Sequence, residues 1–388
     1  MEFGPNPDHE LIRQGIRPIL ADFPDSYWRE HDATSEFPWE FYRAVAAGGW
    51  LGIATPEEYG GGGLGVTEAG ILVQEVAAAG GALAACSAIH AGIFGLLPLE
   101  RYGSEEQKKR YLPRAATGDL ITAFSVTEPG AGTDTSRIAT FARKVDGGYR
   151  ISGQKVWTSR AMEAERLILL ARTAPREEGK RRTDGMSLFL CPAEGGGLEK
   201  RPIEKMGRGA VDSCEVFLDD FFVADDDLIG EEGNGFRQLL DGLNPERILT
   251  AMEAIGVGRA ALRKAVAYAN ERIVFDRPIG QNQGIQFPLA EAFARLEAAQ
   301  LMALKAAWLY DNGEPCGTEA NIAKYLGAEA GSFAADRAVQ THGGFGYAKE
   351  YDVERYYREI RIFQLGPLTQ EMVLNYLGQH VLGLPKSY

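Results

Sequence analysis

The chain has 388 residues, 45% of them hydrophobic and 24% charged, with a formal net charge of −13. That length sets a prior of about two to three domains, and the composition is that of a globular chain able to build a large core. A surface this acidic repels phosphate backbones and anionic headgroups, which argues against nucleic acid or membrane as the main partner.

The N-terminus, Met1 to Asp8, has neither a basic nor an apolar signal-like region, so no secretory leader is expected. No apolar run reaches the roughly 18 residues of a membrane span, and a cytoplasmic location is the simplest expectation. Residues 8–119 read as mostly helical, with alanine-rich stretches (Ile71 to Ala79, Ala82 to Leu97) broken by glycines. The run Gly60 to Gly63 lacks the strand, helix and lysine of a phosphate cradle and reads as a flexible loop.

The character changes near Leu120. Short β-rich runs follow at Tyr149–Thr158, Arg166–Arg172, Met186–Cys191 and Cys214–Phe222, separated by Gly-Gly turns and a charged loop from Arg176 to Asp184. Such spacing predicts an antiparallel sandwich or barrel. From Gly235 the period is helical again: Phe236, Leu239, Leu240 and Leu243 share one face, as do Leu289, Phe293, Leu296, Ala299 and Leu304. The expectation is an α+β chain in three parts: an N-terminal helical domain (1–119), a middle β domain (120–231) and a C-terminal helical domain (232–388). The four cysteines have no CxxC pair and the five histidines no HxxH spacing, so neither a disulfide framework nor a metal site is expected.

Four strings carry chemistry. Phe124 to Asp134 (FSVTEPGAGTD) is a strand entering a Gly/Pro loop whose hydroxyls and free N–H groups can approach an aromatic ring system; a generic loop of this kind is more often a surface turn. Gly153 to Ser159 (GQKVWTS) places Trp157 in a strand, where tryptophan is more often core. Glu271 to Asp276 (ERIVFD), with Gln281-Asn282-Gln283 after it, offers an arginine whose guanidinium suits phosphate; alone it reads as a solvated helix end. Gln340 to Tyr347 (QTHGGFGY) has glycines that let a helix end approach a diphosphate, and His342 within it is expected to be structural. Gly256-Val257-Gly258-Arg259-Ala260-Ala261 fits GxGxxA but lies inside a helical pattern, so helix packing is the better reading.

Taken as whole strings, these motifs resemble the acyl-CoA dehydrogenase family, and the resemblance covers nearly the whole chain. The first is close to TEPGAGSD with Thr133 for Ser, the second to GxKxWITN, and the third to ERxxFG with Asp276 in place of Gly, which puts an extra negative charge near an anionic cofactor. The resemblance implies an α–β–α layout ending in a four-helix bundle, FAD as cofactor, an acyl-CoA substrate, an electron-transfer flavoprotein as acceptor, and a homotetramer built as a dimer of dimers. It places Phe124, Val126, Thr127, Gly132, Thr133, Trp157, Ser159 and Thr369 near the flavin ring or the thioester. Arg272, Phe275, Gln283, Gln340, Gly343 and Gly344 fall on the rest of the cofactor, with Gln340 and Gly344 reaching FAD bound mainly by a neighbouring subunit.

Most members carry the catalytic glutamate at the position of Pro367. A minority, including isovaleryl-CoA and long-chain enzymes, carry it at the position of Glu246, with Arg247 beside it toward the substrate. Glu246 is therefore the expected base; without that resemblance, an ion-pair partner for Arg247 or Arg272 is the default for a helical glutamate. Pro245 is expected to kink the helix and aim Glu246 into the acyl cavity. Pro367 lacks the N–H that in the family helps hold the thioester carbonyl, a loss of about 3 kcal/mol unless a small shift presents the Leu368 N–H. Three alternatives stay open: an oxygen-using acyl-CoA oxidase, a nitroalkane oxidase relative, and a non-catalytic flavin-binding subunit of a hetero-oligomer.

Overall fold

The computed structural model describes residues 6–176 and 181–386, so part of the expected Arg176–Asp184 loop lies outside the described residues. The N-terminal part is helical: α1 (Pro7–Ala21), α2 (Asp25–Thr34), α3 (Trp39–Ala47), α4 (Val66–Ala78), α5 (Ala82–Phe94), α6 (Leu97–Tyr102) and α7 (Glu105–Thr117). Helix α7 starts with a capping box, in which the Ser104 hydroxyl accepts from the Gln107 N–H and the Gln107 side chain accepts from the Ser104 N–H. The Gly60–Gly63 loop spends its N–H groups on the chain itself, with Gly62 bonded to the Gly52 carbonyl and Gly63 to that of Thr55. They are not available to a phosphate.

The stretch Ala82–Tyr102 is long and apolar enough to cross a membrane by composition, against the sequence expectation, and 72% of its apolar window is buried inside the protein. It comprises α5 and α6, separated by Gly95 and Leu96, and α5 is lined by core residues from Ala82 to Ile89. Burial of most of its residues explains its apolarity.

The middle part is one sheet of β1 (Thr122–Ser125), β2 (Phe141–Val145), β3 (Gly148–Ser159), β4 (Arg166–Arg172), β5 (Met186–Pro192), β6 (Leu198–Pro202), β7 (Ser213–Ala224) and β8 (Leu228–Ile229). Its order is β6-β7-β3-β2-β4-β5-β8, mainly antiparallel, with β1 pairing parallel to β4 and one parallel pair between β2 and β4. The long strands lie where the β-rich runs predicted them. The short β1, β2, β6 and β8 carry too few alternating residues to stand out.

The C-terminal part holds α8 (Gly235–Leu240), the long α9 (Leu243–Glu271), a small hairpin β9 (Ile273–Val274) and β10 (Arg277–Pro278), then α10 (Gln283–Asp311), α11 (Gly317–His342), α12 (Val353–Ile360), α13 (Ile362–Leu365) and α14 (Gln370–Tyr376). Helices α9, α10 and α11 pack together, α12 lies against α9 and α11, and α4 closes on α9 from the N-terminal part. Of the expected inward faces, Leu239, Leu289, Leu296 and Ala299 are buried, but Leu240 and Phe293 are exposed.

Glycines set the helix spacing. A β-carbon on Gly331 of α11 would stand 2.5 Å from the Ala254 carbonyl oxygen of α9, and one on Gly256 would stand 2.5 Å from the Gln74 carbonyl oxygen of α4. The GxGxxA string is thus helix packing, as expected. Gly331→Val is expected to cost at least about 1–3 kcal/mol through overpacking, read as a lower thermal midpoint. Gly196→Ala, where nothing lies within 4 Å of the added carbon, is the near-neutral control.

Candidate functional site

The site has three parts. The first is a wall of the middle domain. Strand β1 carries half-buried Phe124 into a loop where Val126 and Thr127 are half-buried and Gly132 and Thr133 are exposed. This loop is tied down by a buried ion pair: Lys155 Nζ lies 2.8 Å from Glu128 Oε1 and donates to the Val126 carbonyl at 3.1 Å. Glu128 also accepts from the N–H groups of Ala139 and Thr140 at 2.7 and 3.0 Å. Burial pushes the Glu128 carboxyl up, but Lys155 and the N–H donors hold it below its ordinary value. Burial lowers Lys155 to about 8 against the pull of Glu128.

The pairing of β3 with β7 slips between Lys155 and Thr158, and within that irregularity Trp157 has φ +63° and is 56% exposed. A bulge re-aims a side chain out of the sheet, and a large aromatic held exposed in a rare conformation marks a functional surface. Ser159 at the strand's end meets Ser213 at 3.3 Å. Arg208, with φ +58°, fans onto three hydroxyls: Ser87 at 3.2 Å, Ser213 at 3.0 Å and Ser159 at 3.4 Å.

The second part is where α9 and α11 end. Arg272 caps α9 and its guanidinium lies 5.9 Å from the Phe345 ring centroid, so two sequence motifs far apart in the chain meet here. The β9–β10 hairpin turns on Phe275 and Asp276, both at positive φ (51° and 62°). Two such residues make the two-residue turn that suits a hairpin. Aspartate tolerates that conformation, which gives a physical reason for Asp276 where the family has glycine. Phe275 is 93% exposed. Gln283 opens α10, and Gln340, Gly343 and Gly344 stand exposed at the end of α11. His342 is buried, donates its Nδ1–H to the Ala338 carbonyl (2.8 Å) and stacks on Tyr268 at 4.2 Å, a structural placement. Among the described residues no hydrogen bond or ring contact joins this cluster to the Trp157 wall.

The third part is the start of α9. Pro245 does not sit inside one continuous helix from α8: the chain breaks at Asp241–Gly242 and α9 begins at Leu243. Pro245 lies in the first turn, and in a continuous helix its missing N–H would have met the Asp241 carbonyl. The break therefore sits four residues before the proline, and Glu246 projects from a fresh helix start. Glu246 keeps some accessible surface but is surrounded by protein; burial lifts its pKa to about 7, with Arg247 drawing it down and Glu253 pushing it up. Arg247 is held by Asn244 Oδ1 at 2.8 Å. Across from it, the buried Lys324 of α11 bonds the Leu368 carbonyl and approaches Gln370 Oε1 at 3.5 Å. Burial brings Lys324 down to about 8, with Glu371 raising it and Arg247 lowering it. Pro367 follows a cis peptide bond from Gly366, and Thr369 caps α14 by accepting from the Met372 N–H at 3.3 Å.

A cavity of 1070 Å³ lies elsewhere, between residues 202–212 and the α11–α12 region, and none of the candidate residues lines it. The volume does not mark the chemistry here. The candidate residues instead offer a flat exposed indole, hydroxyls and a glycine loop on one wall, and a guanidinium with glycines on another. A β-carbon on Gly132, Gly343 or Gly344 would meet nothing within 4 Å, so these glycines face open space. That donor set suits a flat ring system joined to a diphosphate. Sequence reasoning missed the supports: Glu128 and Lys155 sit inside quoted motifs without a role, and Arg208 and Lys324 lie in no motif. Lys155→Met, which strands the Glu128 carboxylate, is expected to cost about 3–5 kcal/mol, measured by chemical denaturation.

Comparison with known proteins agrees with the fold. The acyl-CoA dehydrogenase N-terminal domain matches residues 6–119, the middle domain residues 123–221 and the C-terminal domain residues 233–382. The acyl-CoA dehydrogenase FadE12 of Mycobacterium tuberculosis is 40% identical over 387 residues, covering 98% of this chain and 97% of its own. Butyryl-CoA dehydrogenase from Megasphaera elsdenii superposes with a TM-score of 0.93 at 29% identity, over 98% of this chain and 100% of that one. The FAD complex of PigA superposes with a TM-score of 0.92 at 25% identity, over 99% and 100%. The chain belongs to the acyl-CoA dehydrogenase family, oxidoreductases that use FAD.

Proposed function

We propose that this enzyme oxidises an acyl-CoA thioester to the trans-2-enoyl thioester, with Glu246 removing the α-proton. The observation that carries the reading is the Glu246 carboxyl, set at a helix start in a desolvating environment that brings its pKa to about 7. A base with a pKa near the working pH is the one best matched to proton abstraction. Arg247, locked by Asn244, keeps that carboxyl from rising further. Bound FAD supplies the acceptor for the β-hydride.

Phe124, Val126, Thr127, Gly132, Thr133, Trp157, Ser159 and Thr369 would hold the ring end of the cofactor. Arg272, Phe275, Gln283, Gln340, Gly343 and Gly344 would hold its diphosphate end, from a second copy of the chain. The separation of the two clusters within one protomer supports that division, and with it a homotetramer of paired dimers. An electron-transfer flavoprotein is the proposed electron acceptor, as the family resemblance implies. Pro367 offers no N–H to the thioester carbonyl. The Leu368 N–H has no acceptor among the described residues, and Lys324 fixes the peptide that follows it, so Leu368 is the proposed replacement donor. Pro367 also favours a second reading, a flavin-binding subunit that does not turn over.

Anaerobic titration with a panel of acyl-CoAs, followed by bleaching of the visible flavin band, separates these readings; no bleaching by any member sinks the first. Glu246→Gln is expected to slow bleaching about 10²–10⁴-fold. The base must be ionised, so wild-type kcat/KM should rise about tenfold per pH unit below about 7 and level off above it. Arg272→Glu is expected to release FAD on gel filtration without changing the elution volume of the assembled protein, whereas full flavin retention would argue against a diphosphate contact.

A further inference from the structure

Glu253, which pushes the Glu246 carboxyl up, also holds a histidine that the chemistry above does not use. Glu253 lies seven residues after Glu246 on α9, two helical turns along nearly the same face, or about 10 Å further in. Its side chain is fully buried, and its Oε1 lies 2.9 Å from His90 Nδ1 of α5. A carboxylate only accepts, so Nδ1 carries the hydrogen and the ring's orientation is fixed. The other carboxylate oxygen, Oε2, has no partner among the described residues.

The His90 ring itself is not sealed in. Residues 82–89 of α5 are buried, whereas His90 keeps 18% of its side-chain surface. Its Nε2 makes no hydrogen bond among the described residues, and the Phe94 ring, one turn on, lies 5.4 Å away. One turn back, Ser87 accepts from Arg208, which also reaches Ser159. This face of α5 therefore runs from the Ser159 wall, where the flavin ring is proposed to lie, to Glu253, two turns along α9 from the proposed base.

We propose that His90, oriented by Glu253, is a specificity-determining residue that selects acyl groups bearing a hydroxyl, aliphatic or phenolic, beyond the reacting carbons. The inference rests on the proposed acyl-CoA dehydrogenation. Neutral, His90 Nε2 is an acceptor; protonated, it is a donor. A hydroxyl satisfies either state. A hydrocarbon chain strips water from Nε2 and returns nothing. A carboxylate meets the charges of Glu246 and Glu253. A pocket built to hydrogen-bond a substrate group rejects the analogue lacking it far more strongly than an apolar pocket rejects a missing methylene.

The test uses the flavin-loaded full-length enzyme and pairs of acyl-CoAs of equal length, one hydrocarbon and one carrying a terminal hydroxyl or hydroxyphenyl group. Anaerobic flavin bleaching gives kcat/KM for each. The hydroxylated member is expected to win by at least about tenfold, the preference should collapse in His90→Leu, and it should partly survive in His90→Gln. Equal or better bleaching by the hydrocarbon member, or a preference untouched in His90→Leu, overturns the inference while leaving dehydrogenation intact. The wild-type comparison needs no variant, so a misfolded substitution does not shelter the proposal. Flavin that no thioester of either kind reduces overturns the reaction assignment and this inference together.

Discussion

Helix α9 is packed so closely between α4 and α11 that glycine is required at the crossings, and the site depends on that constraint. Gly256 rests on the Gln74 carbonyl, and Gly258 faces Gly331 across the α11 crossing. A helix held this way over 29 residues has no freedom to slide. Its start fixes Glu246 and Arg247, its middle fixes Glu253 against His90, and its end fixes Arg272 at the hairpin. The proposed proton abstraction, acyl recognition and cofactor anchoring thus hang from one rigid rod, as precise sites require.

Charge is handled differently in each part of the site. Glu128 and Lys155 compensate one another, and their shared hydrogen bonds fix a loop that is itself open to a cofactor. Glu246 has no ion-pair partner within reach on the described residues, so desolvation dominates and its proton affinity rises toward neutrality. Glu253 has one oxygen matched by His90 and the other unmatched among the described residues. Identical carboxyl groups take up different roles because their surroundings price ionisation differently.

Pro245 and Pro367 show how one residue type acts through what it lacks. At Pro245 the missing N–H falls where the chain has already broken, so the residue helps start a helix. At Pro367 the missing N–H removes a donor from the loop facing the proposed substrate, and Lys324 holds the carbonyl of the next residue. Asp276 follows the same logic: its place in the hairpin is set by backbone conformation rather than by its charge.

Much was legible in the chain alone. Long apolar periods and β-rich runs are local signals, so the helix–sheet–helix order could be read from them, and the motif strings identified the family because their spacing is set by one cofactor's shape. The same locality explains what was not legible. Pro245 looked like a kink, since the break at Asp241–Gly242 has no strong sequence mark. Trp157 and Phe275 gave no sign of positive φ, which arises from strand register and hairpin closure. Arg208 on Ser87 and Ser159, Lys324 on Leu368 and His90 on Glu253 join residues 44 to 163 positions apart. The sequence by itself determined the long elements and their order, the family and the candidate base. Only the tertiary structure decided which charges are paired, which are stranded and which face open space, because those depend on contacts between segments distant in the chain.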